Sequence, residues 1–145
     1  KLEKFSPLIN ARKETLMEKV TFKNLIQTSR CIVLADGYYE WKREEKNKVP
    51  YYFTKKDDAL MFFAAIHQNN QFCIITREAT ENVSKIHHRE PLVINQSQIN
   101  NYLNIKKDAI EVLNSIKPPS LKFHEISKEV NNPVNNDPAL IKSIN

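Results

Sequence analysis

The amino-acid sequence predicts an α+β fold built around a strongly curved antiparallel sheet. Its apolar residues fall into short runs of strand length that are rich in β-branched and aromatic residues and are bounded by turn residues. The connections between successive central runs, such as Asp57-Asp58 and 68–71, are short enough for an antiparallel meander. Apolar residues at helical spacing occur in only a few segments, so we expect short helices that flank the sheet.

Seven runs are predicted to be strands and four segments to contain helices. The strands are predicted at 31–35, 38–41, 50–54, 60–66, 72–76, 91–94 and 122–126. The clearest helix is 108–116, because its apolar residues follow helical spacing and Pro118-Pro119, which cannot continue a helix, come shortly after it. Shorter helices are predicted at 80–85, at 97–103 and within 15–26. A chain of 145 residues fits a single domain, 1–145.

Composition argues against a membrane protein and favours an anionic partner. The chain has 22 Lys and Arg against 17 Asp and Glu, a net charge of +5, which suits nucleic-acid binding without requiring it. No apolar run approaches the ~20 residues of a membrane span, so we expect no membrane contact. Cys31 and Cys73 each lie in an apolar run with no signal peptide before them, which predicts reduced, buried thiols and a cytoplasmic location.

Asn10 and Arg12 form the first candidate site. If this segment is extended, both side chains point to the same face, because side chains alternate along a strand. The Arg12 guanidinium and the Asn10 amide could then hold an anion together. The alternative is a surface strand whose polar side chains are simply solvated.

The stretch ADGYYEWK at 35–42 holds the only Gly and the only Trp of the chain. Asp36-Gly37 predicts either a hairpin turn or a β-bulge, with Gly37 supplying a backbone angle that other residues avoid. In the strand that follows, Tyr39 and Trp41 share a face that we expect to join the core. Glu40 on the other face would then serve as a general acid or base, the alternative being an exposed surface carboxylate.

His87 and Arg89 form the third candidate site. Pro91 disfavours helix at the residue before it, so the chain should become extended here and place both side chains on one face. A His beside an Arg suits proton transfer near a phosphate. Zinc binding is not expected, because neither cysteine lies at ligand spacing, and no other metal or cofactor is expected. The turn-rich segment 131–138 is interpreted as a loop that packs over the end of the domain.

Five pieces of the sequence together resemble the SRAP (SOS-response-associated peptidase) family, which senses abasic sites in single-stranded DNA. The pieces are INARKET at 9–15, SRCIVLADGYYEWK at 29–42, CIIT at 73–76, IHHREP at 86–91 and ISKEVNNPVNND at 126–137. The resemblance implies the SRAP fold, in which curved antiparallel sheets form a barrel-like core with short flanking helices. It also implies a monomer whose partner is single-stranded DNA containing abasic sites.

In the family, an N-terminal Cys attacks the aldehyde of the ring-opened abasic site and closes to a thiazolidine, giving a stable DNA–protein crosslink in the response to DNA damage. The α-amine, whose pKa is about 8, and the thiol belong to one residue, and each forms a bond to the aldehyde carbon. The present chain begins with Lys1. We therefore expect that the N-terminal segment with the nucleophilic Cys is missing here, and that the chain by itself is inactive.

The resemblance implies roles for individual residues. Asn10 would position the N-terminal residue or the sugar, Glu40 would act as general base or orient the amine, and His87 would move a proton during ring opening and closure. The residues expected to bind DNA are Arg12, Arg89, Trp41 and Thr76. Glu90 stands where the family usually has Met, which would place a negative charge near the DNA path.

Two other functions stay open. One is a non-covalent module for single-stranded DNA, with Arg12, Arg89, Trp41 and Lys side chains as its contacts. The other is the peptidase activity of the family name, which would remove a short leader to expose the Cys. A protease that acts on other proteins has little support, because no nucleophile–base pair is visible in the sequence.

Overall fold

The computed structural model describes residues 10–145, which form two β-sheets and a few short helices. Ile9, the first residue of the 9–15 motif, and the chain start at Lys1 lie outside the described residues. The described strands are β1 (Asn10–Arg12), β2 (Arg30–Ala35), β3 (Tyr38–Glu44), β4 (Asn47–Lys55), β5 (Met61–Gln68), β6 (Gln71–Glu78), β7 (Arg89–Pro91) and β8 (Leu121–Glu125). The described α-helices are α1 (Val20–Thr28), α2 (Glu81–Ser84), α3 (Ile99–Leu103) and α4 (Ala109–Ser115).

Most predicted elements are found close to their predicted positions, with one strand displaced. The 91–94 run was expected to be a strand, whereas the strand here is β7 and ends at Pro91. Beyond it, Val93 makes only an isolated bridge to Phe63, and the Leu92 N–H donates to the carbonyl of Ile75 at 2.8 Å. The run is buried and hydrogen-bonded to both β5 and β6 at single points instead of in a continuous ladder, which is why its apolar residues resemble a strand in sequence.

The chain is divided into two compact units, each assembled from three separate segments. Unit 1 comprises the described residues of Lys1–Val33, with Phe62–Arg77 and Pro91–Pro118. Unit 2 comprises Leu34–Met61, Glu78–Glu90 and Pro119–Asn145.

Unit 1 is built on a sheet in the order β1-β6-β5-β2. Strands β5 and β6 form an antiparallel hairpin, and β1 adds to β6 in parallel, with Arg12 opposite Thr76. The amphipathic helix α1 buries Phe22 and Ile26 against this sheet's core, which also contains Tyr102. The buried Tyr102 hydroxyl donates a hydrogen bond to the carbonyl of Ala65 at 2.6 Å.

Unit 2 is built on an antiparallel sheet in the order β3-β4-β8, so β3 lies at an edge. Its buried face is aromatic. The Tyr38 ring stacks on Phe53 with centroids 4.9 Å apart, and Phe53 in turn contacts Phe123 at 5.0 Å. Cross-strand aromatic pairs of this kind stabilise a sheet and fix its register.

The predicted meander is wrong in its connectivity. Strands β3 and β4 form one hairpin and β5 and β6 another, but the two hairpins belong to different sheets. Asp36-Gly37 is likewise not a hairpin turn, because β2 and β3 also lie in different sheets.

The expected role of Gly37 is also corrected, since its φ is not positive. The reason for the glycine is steric. A Cβ at this position would lie 2.4 Å from the carbonyl oxygen of Phe53 and 2.5 Å from the Tyr52 ring.

The expectation that Tyr39 and Trp41 join the core is wrong. Tyr39 is 37% exposed and Trp41 is half-buried, whereas Phe53, which stacks on Tyr38 on the other face of the sheet, is fully buried. The aromatic stack of unit 2 therefore lies on the Tyr38 side of β3.

A mixed α and β architecture with two sheets is confirmed, and the barrel-like core stays a prediction. Within residues 10–145, no helix combines the length and the hydropathy needed to cross a membrane.

Candidate functional site

The Glu40 carboxylate is held at the open edge of β3. Pro50, opposite Trp41 in the ladder, directs its carbonyl toward Ile126, so the Trp41 N–H points away from β4. Glu40 Oε1 accepts a hydrogen bond from this N–H at 3.0 Å. The edge position therefore supplies a backbone donor that fixes one carboxylate oxygen and leaves the other free to interact.

His87 lies next to the second oxygen of this carboxylate. Its Nδ1 is 3.8 Å from Glu40 Oε2, and the side chains are 30% and 27% exposed, respectively. The chain reaches this position by leaving α2 in a tight turn, in which the Ile86 and His87 N–H groups both donate to the carbonyl of Val83. The structure thus brings together two residues that are 47 positions apart in sequence.

The hydrogen bonds of His87 distinguish its two ring nitrogens. Nδ1 lies 3.1 Å from the Arg89 N–H and 3.2 Å from the Arg89 carbonyl oxygen. In the neutral ring Nδ1 accepts from the N–H, and in the imidazolium it can donate to the carbonyl while the ring forms an ion pair with Glu40. Either state is accommodated on the Nδ1 side, so Nε2 is the nitrogen left to exchange a proton with a ligand.

His88 packs on the face of His87. The ring centroids are 4.5 Å apart and the planes differ by 27°. His88 is itself exposed, so the stack limits the rotation of the His87 ring from the solvent side.

Trp41, the next residue along β3, is bonded to the loop after β8. Its Nε1 donates to Asn131 Oδ1 at 2.6 Å. Asn131 ends a 3₁₀ turn, Lys128–Asn131, and is the first residue of the segment 131–138, which the sequence predicts to be a loop over the domain end. This loop therefore contributes to the site.

These side chains surround a cavity of about 920 Å³ within unit 2. Its charge is mainly positive, because four lining residues are Lys or Arg and one, Glu40, is acidic. Lys42 Nζ forms an ion pair with Glu44 Oε1 at 3.3 Å, which partly neutralises the charge of this lysine. The lining residues are Glu40, Trp41, Lys42, Arg43, Lys48, Ser84, Lys85, Ile86, His87, His88, Val130, Asn131 and Pro133. A cationic cavity with a carboxylate–imidazole pair can bind an anionic chain and transfer protons beside it.

The Tyr38 hydroxyl and the Glu90 side chain are buried near Glu40. Burial, followed by the negative charges of Glu90 and Glu40, raises the pKa of the Tyr38 hydroxyl well above its usual range. Glu90 is only 4% exposed and accepts hydrogen bonds from the N–H and hydroxyl of Thr80 at 3.4 and 3.3 Å. The expectation that Glu90 would place a charge on the DNA path is therefore corrected, since its carboxylate is internal to unit 2.

The other predicted site residues are placed as follows. Asn10 and Arg12 are exposed on either side of the buried Ala11, so the expected common face is found. Thr76 is half-buried opposite Arg12, and these three residues belong to unit 1. Arg89 belongs to unit 2 and is half-buried with its Nε inaccessible, so its observed link to the site is the backbone contact with His87.

The two cysteines are free thiols in unit 1. Cys73 is buried as expected, and Cys31 is only half-buried. Burial raises the pKa of both thiols, which lowers the fraction present as the nucleophilic thiolate. Neither has the environment of an activated cysteine.

Sequence reasoning missed several residues of the cavity. Arg43, Lys48 and Lys85 carry charge into it, and Asn131 bonds the tryptophan. The lysines and arginine have a weak signal, because the β3–β4 hairpin reads KREEKNK, but similar charges occur on any solvated hairpin. For Asn131 the only signal was its place in the 126–137 motif.

Comparisons with known proteins agree with these motifs. A family model described as SOS response associated peptidase (SRAP) matches residues 1–133. The abasic site processing protein YoqW of Bacillus subtilis is 34% identical over 150 residues, which cover 94% of this chain and 67% of the relative. The abasic site processing protein YedK of Escherichia coli is 34% identical over 151 residues, covering 95% and 68%.

Two solved structures have a similar fold. A protein from Bacteroides thetaiotaomicron has a TM-score of 0.81 at 30% identity, over 92% of this chain and 65% of that one. A phage-related protein from Bordetella bronchiseptica has a TM-score of 0.70 at 25% identity, over 88% and 68%. The chain thus spans about two thirds of the length of the relatives and structures that it matches.

Proposed function

Because the chain belongs to the SOS response associated peptidase (SRAP) family, we propose that it recognises abasic sites in single-stranded DNA. Its relatives YoqW and YedK are named abasic site processing proteins. The observation that carries the proposal is the Glu40–His87 pair, 3.8 Å apart in a cationic cavity. The barrel-like core, the single domain 1–145, the cytoplasmic location and a role in the SOS response belong to the same proposal.

The pair suits the chemistry of an abasic sugar. The closed sugar opens to an aldehyde when the hydroxyl on its anomeric carbon loses a proton and the ring oxygen gains one. His87 can deliver or remove that proton through Nε2, while its Nδ1 is held by the Arg89 backbone. Glu40 stabilises the imidazolium that forms and, with one oxygen fixed by the Trp41 N–H, keeps a lone pair for an incoming amine.

The covalent form of the proposal needs an N-terminal Cys. Its amine adds to the aldehyde carbon and water leaves, giving an imine; the thiolate then adds to the imine carbon and the nitrogen takes up a proton. Nothing is oxidised or reduced, and Glu40 and His87 exchange the protons. Asn10 would position the N-terminal residue or the sugar, and Arg12, Arg89, Trp41 and Thr76 would bind the flanking DNA.

A non-covalent module is the second candidate, and the thiols favour it. Cys31 and Cys73 lie in strands β2 and β6 with raised pKa values, so neither can replace an N-terminal nucleophile. Self-removal of a leader would also need a nucleophile. The one hydroxyl among the cavity's lining residues, Ser84, donates to the carbonyl of Glu81 at 2.8 Å instead of to a base.

Intact mass spectrometry of the natural protein tests the proposal. The protein is mixed with a single-stranded oligonucleotide that carries one abasic site, and with one that carries a tetrahydrofuran analogue lacking the aldehyde. We expect an adduct with the first oligonucleotide alone, and Glu40→Gln or His87→Ala should slow its formation about 100-fold, the usual contribution of one proton-transfer group.

Matched controls are Glu45→Gln, in the exposed turn between β3 and β4, and His67→Ala, an exposed histidine on β5. Neither should change the rate. A natural protein that begins with Cys and forms no adduct would contradict the covalent function, while retention of the oligonucleotide that disappears in denaturant would support the non-covalent one.

A further inference from the structure

We infer that Asn131 is a positioning residue that orients the Trp41 indole to stack on a base beside the abasic site. The inference rests on the proposed function for the identity of the ligand, single-stranded DNA. An abasic nucleotide offers no base of its own. An aromatic ring in the cavity must therefore take its stacking partner from a neighbouring nucleotide, and base–aromatic stacking is independent of sequence.

The hydrogen bond between the two residues fixes the indole plane. The indole N–H is a donor only, and the Asn131 Oδ1 that accepts it lies 2.6 Å away. On the other side, the Tyr39 ring lies 6.4 Å from the Trp41 ring with the planes at 55°. One directed bond and one edge contact together restrict both side-chain torsions of the tryptophan.

The loop that carries Asn131 is held by its own hydrogen bonds. Ser127 Oγ accepts from the Glu129 N–H at 3.2 Å, and the Glu129 carbonyl accepts from the Asn132 N–H at 3.2 Å and from Asn135 Nδ2 at 2.8 Å. Pro133 restricts the backbone of the residue before it. These bonds use none of the Asn131 side chain, so its amide oxygen is presented to Trp41 from a defined backbone.

The charges around the indole fit a strand of DNA. Arg43, Lys48 and Lys85 line the same cavity as Trp41. A base stacked on the ring would bring its phosphates within reach of these cations, as in other single-strand binding grooves.

The fluorescence of Trp41 tests the inference directly, because it is the only Trp of the chain. The variants are Asn131→Leu, which removes the acceptor while keeping the number and branching of the side-chain heavy atoms, and Asn131→Asp, which keeps an acceptor oxygen. Asn136→Leu is the control, since this exposed side chain in the same loop makes no hydrogen bond or ion pair within residues 10–145. Without DNA, we expect Asn131→Leu to increase acrylamide quenching of Trp41, and Asn131→Asp and the control to leave it unchanged.

With DNA, two oligothymidylates are compared by fluorescence anisotropy of an end label and by Trp41 emission. One carries a single tetrahydrofuran analogue, and the other carries analogues at the two flanking positions as well. We expect the first to quench Trp41 and the second to quench it much less. Asn131→Leu should weaken binding of the first about five-fold, as expected for one lost hydrogen bond. Asn131→Asp is compared by acrylamide quenching alone, because its added negative charge would itself repel the phosphates.

The outcomes separate the inference from the proposed function. Binding by anisotropy with no change in Trp41 emission would overturn the inference and leave the function standing. No binding of either oligonucleotide would overturn the function and the stacking together. Equal acrylamide quenching of Asn131→Leu and the natural protein would overturn the positioning role of Asn131, whatever the DNA result.

Discussion

Gly37 shows at the scale of one residue how packing, not backbone angle, can require a glycine. The chain crosses from β2 to β3 close to the next strand, and a Cβ would meet the carbonyl of Phe53 and the ring of Tyr52. Both neighbours are buried, and the carbonyl belongs to backbone that is held in the β4 ladder. A side chain here can therefore be accommodated only by moving the strand that supports Glu40.

We predict that Gly37→Ala lowers the free energy of unfolding by about 1–3 kcal/mol, the usual cost of overpacking. The measurement is urea unfolding, with Asp36→Ala at the exposed neighbouring position as the control. The displaced β3 should also slow adduct formation. Unchanged stability of Gly37→Ala would show that β3 and β4 can separate without cost, contrary to the packing described.

The sequence predicts the orientation of a side chain correctly where it depends on one strand alone, and incorrectly where it depends on how two strands pair. The common face of Asn10 and Arg12 follows from alternation alone and is found. Which face of β3 carries the aromatic stack depends on Phe53 and Phe123, which the sequence of β3 does not contain, and there the prediction was wrong. The Trp41–Asn131 bond spans 90 residues and has no local signal.

At the scale of elements, the β3–β4 hairpin supplies both the acid of the site and much of its positive charge. Arg43 and Lys48 are opposite each other in the ladder, and both line the cavity. Neither has a carboxylate partner within the described residues, so both charges are available to phosphates.

We predict that Arg43→Gln combined with Lys48→Gln weakens binding to single-stranded DNA and reduces its salt dependence. Loss of two phosphate contacts should lower the slope of log K against log salt by about 1.4 in magnitude. Lys23→Gln combined with Lys106→Gln, exposed in unit 1, removes the same charge and is the control. An equal loss in both double variants would mean that only net charge matters and that the hairpin is not a contact.

The strands themselves were predictable because short β-rich runs between turn residues leave few alternatives. Their assignment to sheets was not. The β4–β5 and β5–β6 connections are both short and polar, yet only the second joins paired strands. The difference arises because β4 pairs with β8 and β5 pairs with β2, which are distant in sequence, and local turn chemistry carries no information about that choice.

For the whole molecule, connectivity argues for cooperative folding. Each unit takes three segments that alternate along the chain with the three segments of the other unit. Neither unit can therefore be completed before most of the chain is present, and no single cut isolates either one. This supports the proposal that 1–145 behaves as one domain.

Two tyrosines with buried hydroxyls, one in each unit, allow a test of cooperative unfolding by pH. Burial raises the pKa of both Tyr38 and Tyr102 above the usual range. A tyrosine whose pKa is higher in the folded than in the unfolded state loses its proton at a lower pH when the protein is unfolded. Its contribution to stability is thus complete below about pH 10 and is lost as the pH rises toward the folded pKa. We predict that alkaline unfolding and the ionisation of these two tyrosines occur in one step.

Ultraviolet absorbance of tyrosinate follows the ionisation, and far-ultraviolet circular dichroism follows the unfolding. The chain has five tyrosines. If Tyr38→Phe and Tyr102→Phe each remove one tyrosine from the ionisation step at the highest pH, these two residues are the ones that titrate in it. The protein in denaturant gives the reference titration. Because Tyr38 reports on unit 2 and Tyr102 on unit 1, a shared midpoint in the natural protein means that both units unfold together. Two separated steps, each removed by a different Phe variant, would show two independent folding units and contradict the single domain.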